Sequence, residues 1–315
     1  MPTGRIMGDR REYIPVPIPT SRGSERHVKT LREFLARSVL ALVGLPVLVL
    51  VTWWGGWPLL LLAAVIAAAG LREYYRGARH KGYRPMAGLG LAAALAMLLG
   101  TQFAPAEWRD LLMVVILLLV LGLSLLLACA RREPEGVVAD LGVTMFGLVY
   151  IGLGMTFFLR LRGLDLPHLL GTEPVFLGGN VSTLILVLLP VWVLDTVAFA
   201  VGKSLGRHPL VPHLSPKKSW EGSLAGFAGA VLATWLLGVL WNHMHLGHAL
   251  VLGCVIGVLG QLGDLSESVL KRDMGLKDFG HMLGPHGGVL DRFDGVLFVM
   301  PLAYFYLYFA VPYVG

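Results

Sequence analysis

From Ser38 onward the chain alternates long uncharged apolar runs with short polar links. The stretch "SVLALVGLPVLVLVTWWGGWPLLLLAAVIAAAG" holds two such runs without a single charge. Nine segments follow this pattern, near 38–54, 57–71, 86–104, 110–130, 137–159, 181–201, 220–241, 246–268 and 289–314. A hydrocarbon core about 30 Å thick is crossed by about 20 helical residues. In lipid only helices and closed barrels satisfy their own backbone. The pattern predicts an all-α, polytopic integral membrane protein of about nine transmembrane helices, with the short 57–71 segment extending into its flanks.

Composition supports this class. The chain is 56% hydrophobic and 15% charged, with a mean hydropathy of +0.70; a soluble domain carries about 25% charged residues. Cys129 and Cys254 lie within apolar runs and read as small packing residues rather than a disulfide or metal pair. Net charge is +6, and its distribution orients the helices. With the N-terminus in the cytoplasm, 23 Lys and Arg fall on the cytoplasmic side and only Arg109, Arg160 and Arg162 on the other. The positive-inside rule then places the C-terminus outside, in a multi-pass protein of the inner, cytoplasmic membrane. Residues 1–37, with "YIPVPIPTSRGS", read as a flexible, basic cytoplasmic tail without signal-peptide character. Residues 38–315 form the transmembrane domain, with N-terminal helices over 38–159 and a second part over 181–315 that carries the candidate chemistry.

Charge re-enters the apolar pattern at "SESVLKRDMGLKDFGHMLGPHGGVLDRFDG", residues 266–295. Two aspartates, Asp195 and Asp264, are set into the helices themselves. An aspartate at the bilayer centre costs about 2.5–3.5 kcal/mol on insertion scales, so such residues face a bundle interior or a wet cavity. Asp264, Glu267, Ser268 and Lys271 share one helix face, and Asp291 and Asp294 share another. With Asp278 they can assemble an oxygen-rich site for a hard divalent cation, Mg²⁺ above all. Gly287 and Gly288 precede a helix start, where free N–H groups and close backbone approach suit an anion. "HLSPKKSWEG" sets Lys217 and Lys218 before another helix start, with Ser219 as its N-cap, a second phosphate-binding candidate. "VGKSLG" is not a P-loop, because Val197 stands where its first glycine belongs. His243, His245 and His248 lack a carboxylate or thiolate to complete a metal set, and Asn180-Val181-Ser182 is a sequon by pattern alone.

These residues resemble a known family. Ser268-x-Leu270-Lys271-Arg272, Lys277-Asp278-x-Gly280 and Leu283-Gly284-x-His286-Gly287-Gly288-Val289-x-Asp291-Arg292-Phe293-Asp294 are similar to the signature of the phosphatidate cytidylyltransferases, or CDP-diacylglycerol synthases. The likeness extends to Gly263-Asp264-Leu265-x-Glu267-Ser268, to Ser215-Pro216-Lys217-Lys218-Ser219-Trp220-Glu221-Gly222 and to Asp195. It covers about residues 195–295 and leaves the first five helices and the tail without a role. It implies transfer of CMP from CTP to phosphatidic acid, with release of pyrophosphate, in phospholipid biosynthesis. It also implies Mg²⁺, a further monovalent cation such as K⁺, and a homodimer. Asp264 and Asp291 are the implied metal ligands, with Asp195, Asp278 and Asp294 behind them. Lys217 and Lys218 are expected at the triphosphate, with Ser215, Ser268, Gly287 and Gly288 as further substrate contacts. Arg292, Lys271 or Lys277 would clamp the lipid phosphate, and His286 would either shuttle a proton or order its loop. Other readings are a cytidylyltransferase for another lipid phosphate, a CDP-alcohol phosphotransferase, whose Asp-Gly-x-x-Ala-Arg run is missing, and a cation transporter using Asp195 and Asp264.

Overall fold

The computed structural model describes residues 46–130, 135–166, 170, 179–280, 282 and 287–311. The tail 1–37 and His286 lie outside the described residues. The described chain falls within one compact unit, Leu45–Gly315.

Helical residues 46–54 lead to Gly55, whose positive φ of 68° breaks the helix. Helix α1 spans Gly56–His80, so the 57–71 run does extend, its basic C-terminal turns continuing the helix beyond the apolar part. Helices α2 (Ala87–Phe103) and α3 (Ala106–Cys129) follow, separated by a break at Ala104-Pro105. Helix α4 covers Val137–Gly163 and contains a π-helical turn at Leu148–Leu153. Helix α5 covers Gly179–Leu205. Then come strands β1 (Pro209–Val211) and β2 (Ser215–Ser219), and helices α6 (Trp220–Trp241), α7 (Leu246–Asp273) and α8 (Leu290–Ala310).

Seven of these helices are long and apolar enough to cross a membrane: α1 and α3 to α8. Of the nine expected spans, the third is the 17-residue α2, and the first is described only from residue 46. The fold is that of an all-α multi-pass membrane protein carrying one small hairpin. Helix α3 leaves Leu118, Leu119 and Leu126 exposed by 62–69%, a continuous apolar surface suited to lipid rather than water.

Tyr75, Leu71, Met97, Leu98, Leu148, Met155 and Phe158 are fully buried and join α1, α2 and α4 into a core. Tyr75 donates its hydroxyl to the Thr144 carbonyl at 2.9 Å. Helices α5 to α8 pack together beside this group. A Cβ at Gly263 would lie 2.9 Å from the Asp294 carbonyl oxygen and 2.9 Å from Gly295 Cα. Glycine there lets α7 and α8 cross almost backbone to backbone.

Polar contacts collect at the helix ends. At one end Lys81 pairs with Asp273, Arg84 N donates to Asp140 at 2.6 Å, and Arg272 Nε donates to the Leu214 carbonyl at 3.3 Å. At the other, Arg160 pairs with Asp110 at 2.6 Å and Arg162 Nε donates to the Thr52 carbonyl at 2.6 Å. The link between α5 and α6 is more ordered than a loop. It forms an antiparallel hairpin pairing Pro209 with Ser219 and Val211 with Ser215, with an irregular register between them. Ser219 does cap α6, accepting from Gly222 N at 3.2 Å, as a short hydroxyl at a helix start should.

Candidate functional site

The close crossing of α7 and α8 gathers carboxylates. Asp264 and Glu267 lie one turn apart on α7, and Asp294 faces them from the first turns of α8. One oxygen of each lies within 4.8 Å of the others. Glu267 is 1% exposed and Asp294 9%. Three carboxylates this close repel strongly in a medium of low dielectric unless positive charge enters between them. Two lysines approach the cluster. Lys218 Nζ meets Asp264 Oδ2 at 2.5 Å, and Lys271 pairs with Glu267. Glu267 Oε1 is buried without a hydrogen-bond partner among the described residues. A buried oxygen left unpaired is expensive, and an all-carboxylate donor set suits a hard divalent cation. These residues fit such an ion.

Asp291 is not one of these three, although its side chain reaches that of Glu267. Its carboxylate accepts from Gly288 N at 2.7 Å and Phe279 N at 3.1 Å, and pairs with Lys271 at 2.9 Å. It ties the two ends of the glycine loop together, and Lys271 connects it to Glu267. The two aspartates expected to share a metal therefore have different surroundings, Asp264 within the acid cluster and Asp291 at the loop.

The two lysines of "SPKKS" also separate. In a strand, neighbouring side chains point to opposite faces, so Lys218 reaches Asp264 while Lys217 is exposed. Ser215 begins the same strand, half-buried, and Ser268 is buried on α7 beside Glu267. Asp195 is on the surface of α5, within electrostatic reach of Asp294, Asp264, Lys218 and Arg292. Lys277, Asp278 and Arg292 are exposed. Gly287 takes a positive φ of 80°, with room for no Cβ beside the Asp291 carboxylate.

Two neighbours come from the N-terminal helices, where the sequence offered no role. Tyr150, on the π-helical turn of α4, donates its hydroxyl to the Asp294 carbonyl at 3.4 Å; such turns recur at functional sites. Glu73 of α1 accepts from Leu290 N at 2.9 Å. Its signal was available: position 73 follows Ile66 by seven residues and Gly70 by three, on the buried face of α1.

Known proteins resemble this chain over most of its length. The model of the cytidylyltransferase family matches residues 35–310. A phosphatidate cytidylyltransferase of Synechocystis sp. is 33% identical over 296 residues, covering 88% of this chain and 97% of the relative. A chloroplastic phosphatidate cytidylyltransferase of Arabidopsis thaliana is 35% identical over 290 residues, covering 84% and 71%. One from Staphylococcus epidermidis is 30% identical over 267 residues, covering 84% and 96%.

Proposed function

The chain belongs to the cytidylyltransferase family, and from that premise we propose that it transfers CMP from CTP to phosphatidic acid. An oxygen of the lipid phosphate attacks the α-phosphorus of CTP, the bond to the β-phosphate breaks, and CDP-diacylglycerol and pyrophosphate result. The observation that carries this reading is the convergence of Asp264, Glu267 and Asp294 between Lys218 and Lys271, at one end of the helices.

The chemistry asks little covalent work of the protein. A phosphate monoester is already an anionic nucleophile near neutral pH, so no serine, cysteine or histidine nucleophile is needed. Catalysis is positioning and charge neutralisation. Asp264, Glu267 and Asp294 would hold a divalent cation, Mg²⁺ by the resemblance, which when bound supplies a Lewis acid for the triphosphate. Lys218, free to exchange Asp264 for a phosphate oxygen, binds the triphosphate tail. Lys271 is anchored by Glu267 and Asp291 and supplies a fixed positive charge beside the lipid phosphate. Asp291 keeps the loop ends closed through Gly288 N and Phe279 N.

The finer topology belongs to the same proposal: nine spans, N-terminus in the cytoplasm, the site facing the cytoplasm of the inner membrane, and a homodimer. Met282 is 67% exposed. With Cys129 and Cys254 replaced by serine, Met282→Cys should resist an impermeant thiol reagent in intact cells and react after lysis. Labelling in intact cells would invert the topology. The activity itself is tested with purified protein, radiolabelled CTP and phosphatidic acid, with Mg²⁺ or with chelator. Labelled CDP-diacylglycerol that needs Mg²⁺ is expected. Product from a different lipid phosphate alone would move the acceptor, and no product from any would remove the reading.

A further inference from the structure

Glu73 is 5% exposed, yet it lies on a membrane helix far in sequence from the signature. One carboxylate oxygen accepts from Leu290 N, at the start of α8. The other, Oε1, is buried with no hydrogen-bond partner among the described residues. A buried polar oxygen left without a partner is costly to retain. A negative group at a helix N-terminus is favoured by the helix dipole, which accounts for part of its placement.

The described ends of the loop, Gly280 and Gly288, pack around this carboxylate. A Cβ at Gly288 would lie 2.5 Å from Glu73 Oε2 and 2.7 Å from its Cδ, and one at Gly280 would lie 2.7 Å from the same Cδ. Neither glycine has a positive φ, unlike Gly287. Backbone conformation therefore does not demand glycine at 280 or 288; space does. Helix α1 holds the same segment further along. A Cβ at Gly77 would meet Leu276 at 2.9 Å and Met274 Sδ at 3.0 Å, and the Tyr74 and Phe279 rings pack with centroids 6.3 Å apart. On its other side the loop is held by Asp291, which takes Phe279 N and Gly288 N and binds Lys271.

We infer that Glu73 is a positioning residue for the transfer reaction: its carboxylate sets the neck of the glycine loop and the start of α8, and Gly280 and Gly288 are glycines to make room for it. A shift of this neck would move Lys271 through Asp291, and Asp294 through α8. The activity measurements below rest on the cytidylyltransferase reading, whereas the exchange measurement does not.

The competing explanation is that these glycines let a substrate phosphate approach the backbone. A rescue experiment separates the two. Gly288→Ala should lower kcat about 100-fold, since a misplacement near 1 Å can cost that much. In Glu73→Asp/Gly288→Ala the shorter acid withdraws from the new Cβ, and about tenfold of the loss should return, a coupling typical of touching residues. If substrate approach is the reason for glycine, the double variant will be no better than Gly288→Ala, and the inference is overturned. Glu73→Ala should lower kcat at least about tenfold with the KM for CTP nearly unchanged, while Glu73→Gln, whose amide oxygen still accepts from Leu290 N, stays within about threefold of wild type. Hydrogen exchange at the Leu290 amide in detergent should quicken in Glu73→Ala and not in Glu73→Gln. Unchanged exchange in Glu73→Ala overturns the inference even if activity falls. Should Glu73→Ala fail to purify, the rescue pair carries the test. If wild-type protein makes no CDP-diacylglycerol, the functional reading fails, and the exchange result still judges Glu73.

Discussion

The acid cluster and the loop neck are both built on carboxylates, and they differ in what fills the carboxylate oxygens. In the neck, Asp291 takes two backbone N–H groups and Lys271, and Glu73 takes Leu290 N. In the cluster, Asp264, Glu267 and Asp294 face one another within 4.8 Å. Carboxylates that take up backbone donors fix geometry. Carboxylates that face each other need a cation, and an uncompensated buried charge is among the costliest features a fold can keep. Within one short signature, spacing alone does not separate these duties, since Asp291 and Asp294 are one turn apart on the same helix.

Exchanging charge for an isosteric amide in both regions is the hardest test of this division, and its effect should be the largest. Asp264→Asn and Asp294→Asn keep shape but remove a ligand charge, so each should lower kcat by about 10²–10³ or more, the scale of a lost transition-state electrostatic contact. Each should also raise the Mg²⁺ concentration needed for half-maximal rate. Asp291→Asn retains one carbonyl acceptor for the neck, so its loss should be nearer tenfold, with an unchanged Mg²⁺ requirement. Should Asp291→Asn match Asp264→Asn in both respects, Asp291 is a metal ligand, as the family resemblance implies, and the division collapses.

The paired lysines sharpen the comparison at the cluster's edge. Lys218 meets Asp264, whereas Lys217 is exposed on the opposite face of the strand. Lys218→Ala should raise the KM for CTP about tenfold or more with a much smaller change for phosphatidic acid, because one charge-assisted phosphate contact is lost. Lys217→Ala should change either constant by less than about threefold, the effect of a solvated surface charge. Equal increases for both lysines would mean that the hairpin turns over when CTP binds.

Much of the architecture was written locally in the chain. Apolar runs of membrane length gave the helices because lipid leaves the backbone no other partner, and Ser219 was readable as a cap from its position before Trp220. The acidic face of α7 was visible as Asp264 and Glu267 at helical spacing. What remained hidden depends on pairings between distant segments. The Glu73 contact joins positions 217 residues apart, and no local period marks Leu290 N as its partner. Tyr150 comes to Asp294 from 144 residues away, through a π-helical turn that "LVYIGL" does not announce. The hairpin escaped notice because strands of three and five residues, "PLV" and "SPKKS", carry no alternation of apolar and polar positions. Missing that strand made Lys217 and Lys218 look equivalent.

The smallest effect is expected just outside the neck, at the end of α7. Asp273 pairs with Lys81, and the two side chains are 55% and 32% exposed. The pair lies just before Leu276 and Phe279, which α1 grips by apolar contact, so the grip itself does not need the charge. The hydrogen bond to Asp273 holds the Lys81 ammonium above its usual range. Lys81 therefore stays protonated through neutral and mildly alkaline pH, and the pair should add no pH dependence there. Exposed ion pairs are weak because solvent and salt screen them. Asp273→Asn should accordingly stay within about twofold of wild-type activity, at both low and physiological ionic strength. A loss as large as that of Asp291→Asn would extend the neck to the α7 terminus. Glu73 would then be only one of several groups by which α1 sets the position of the catalytic helices.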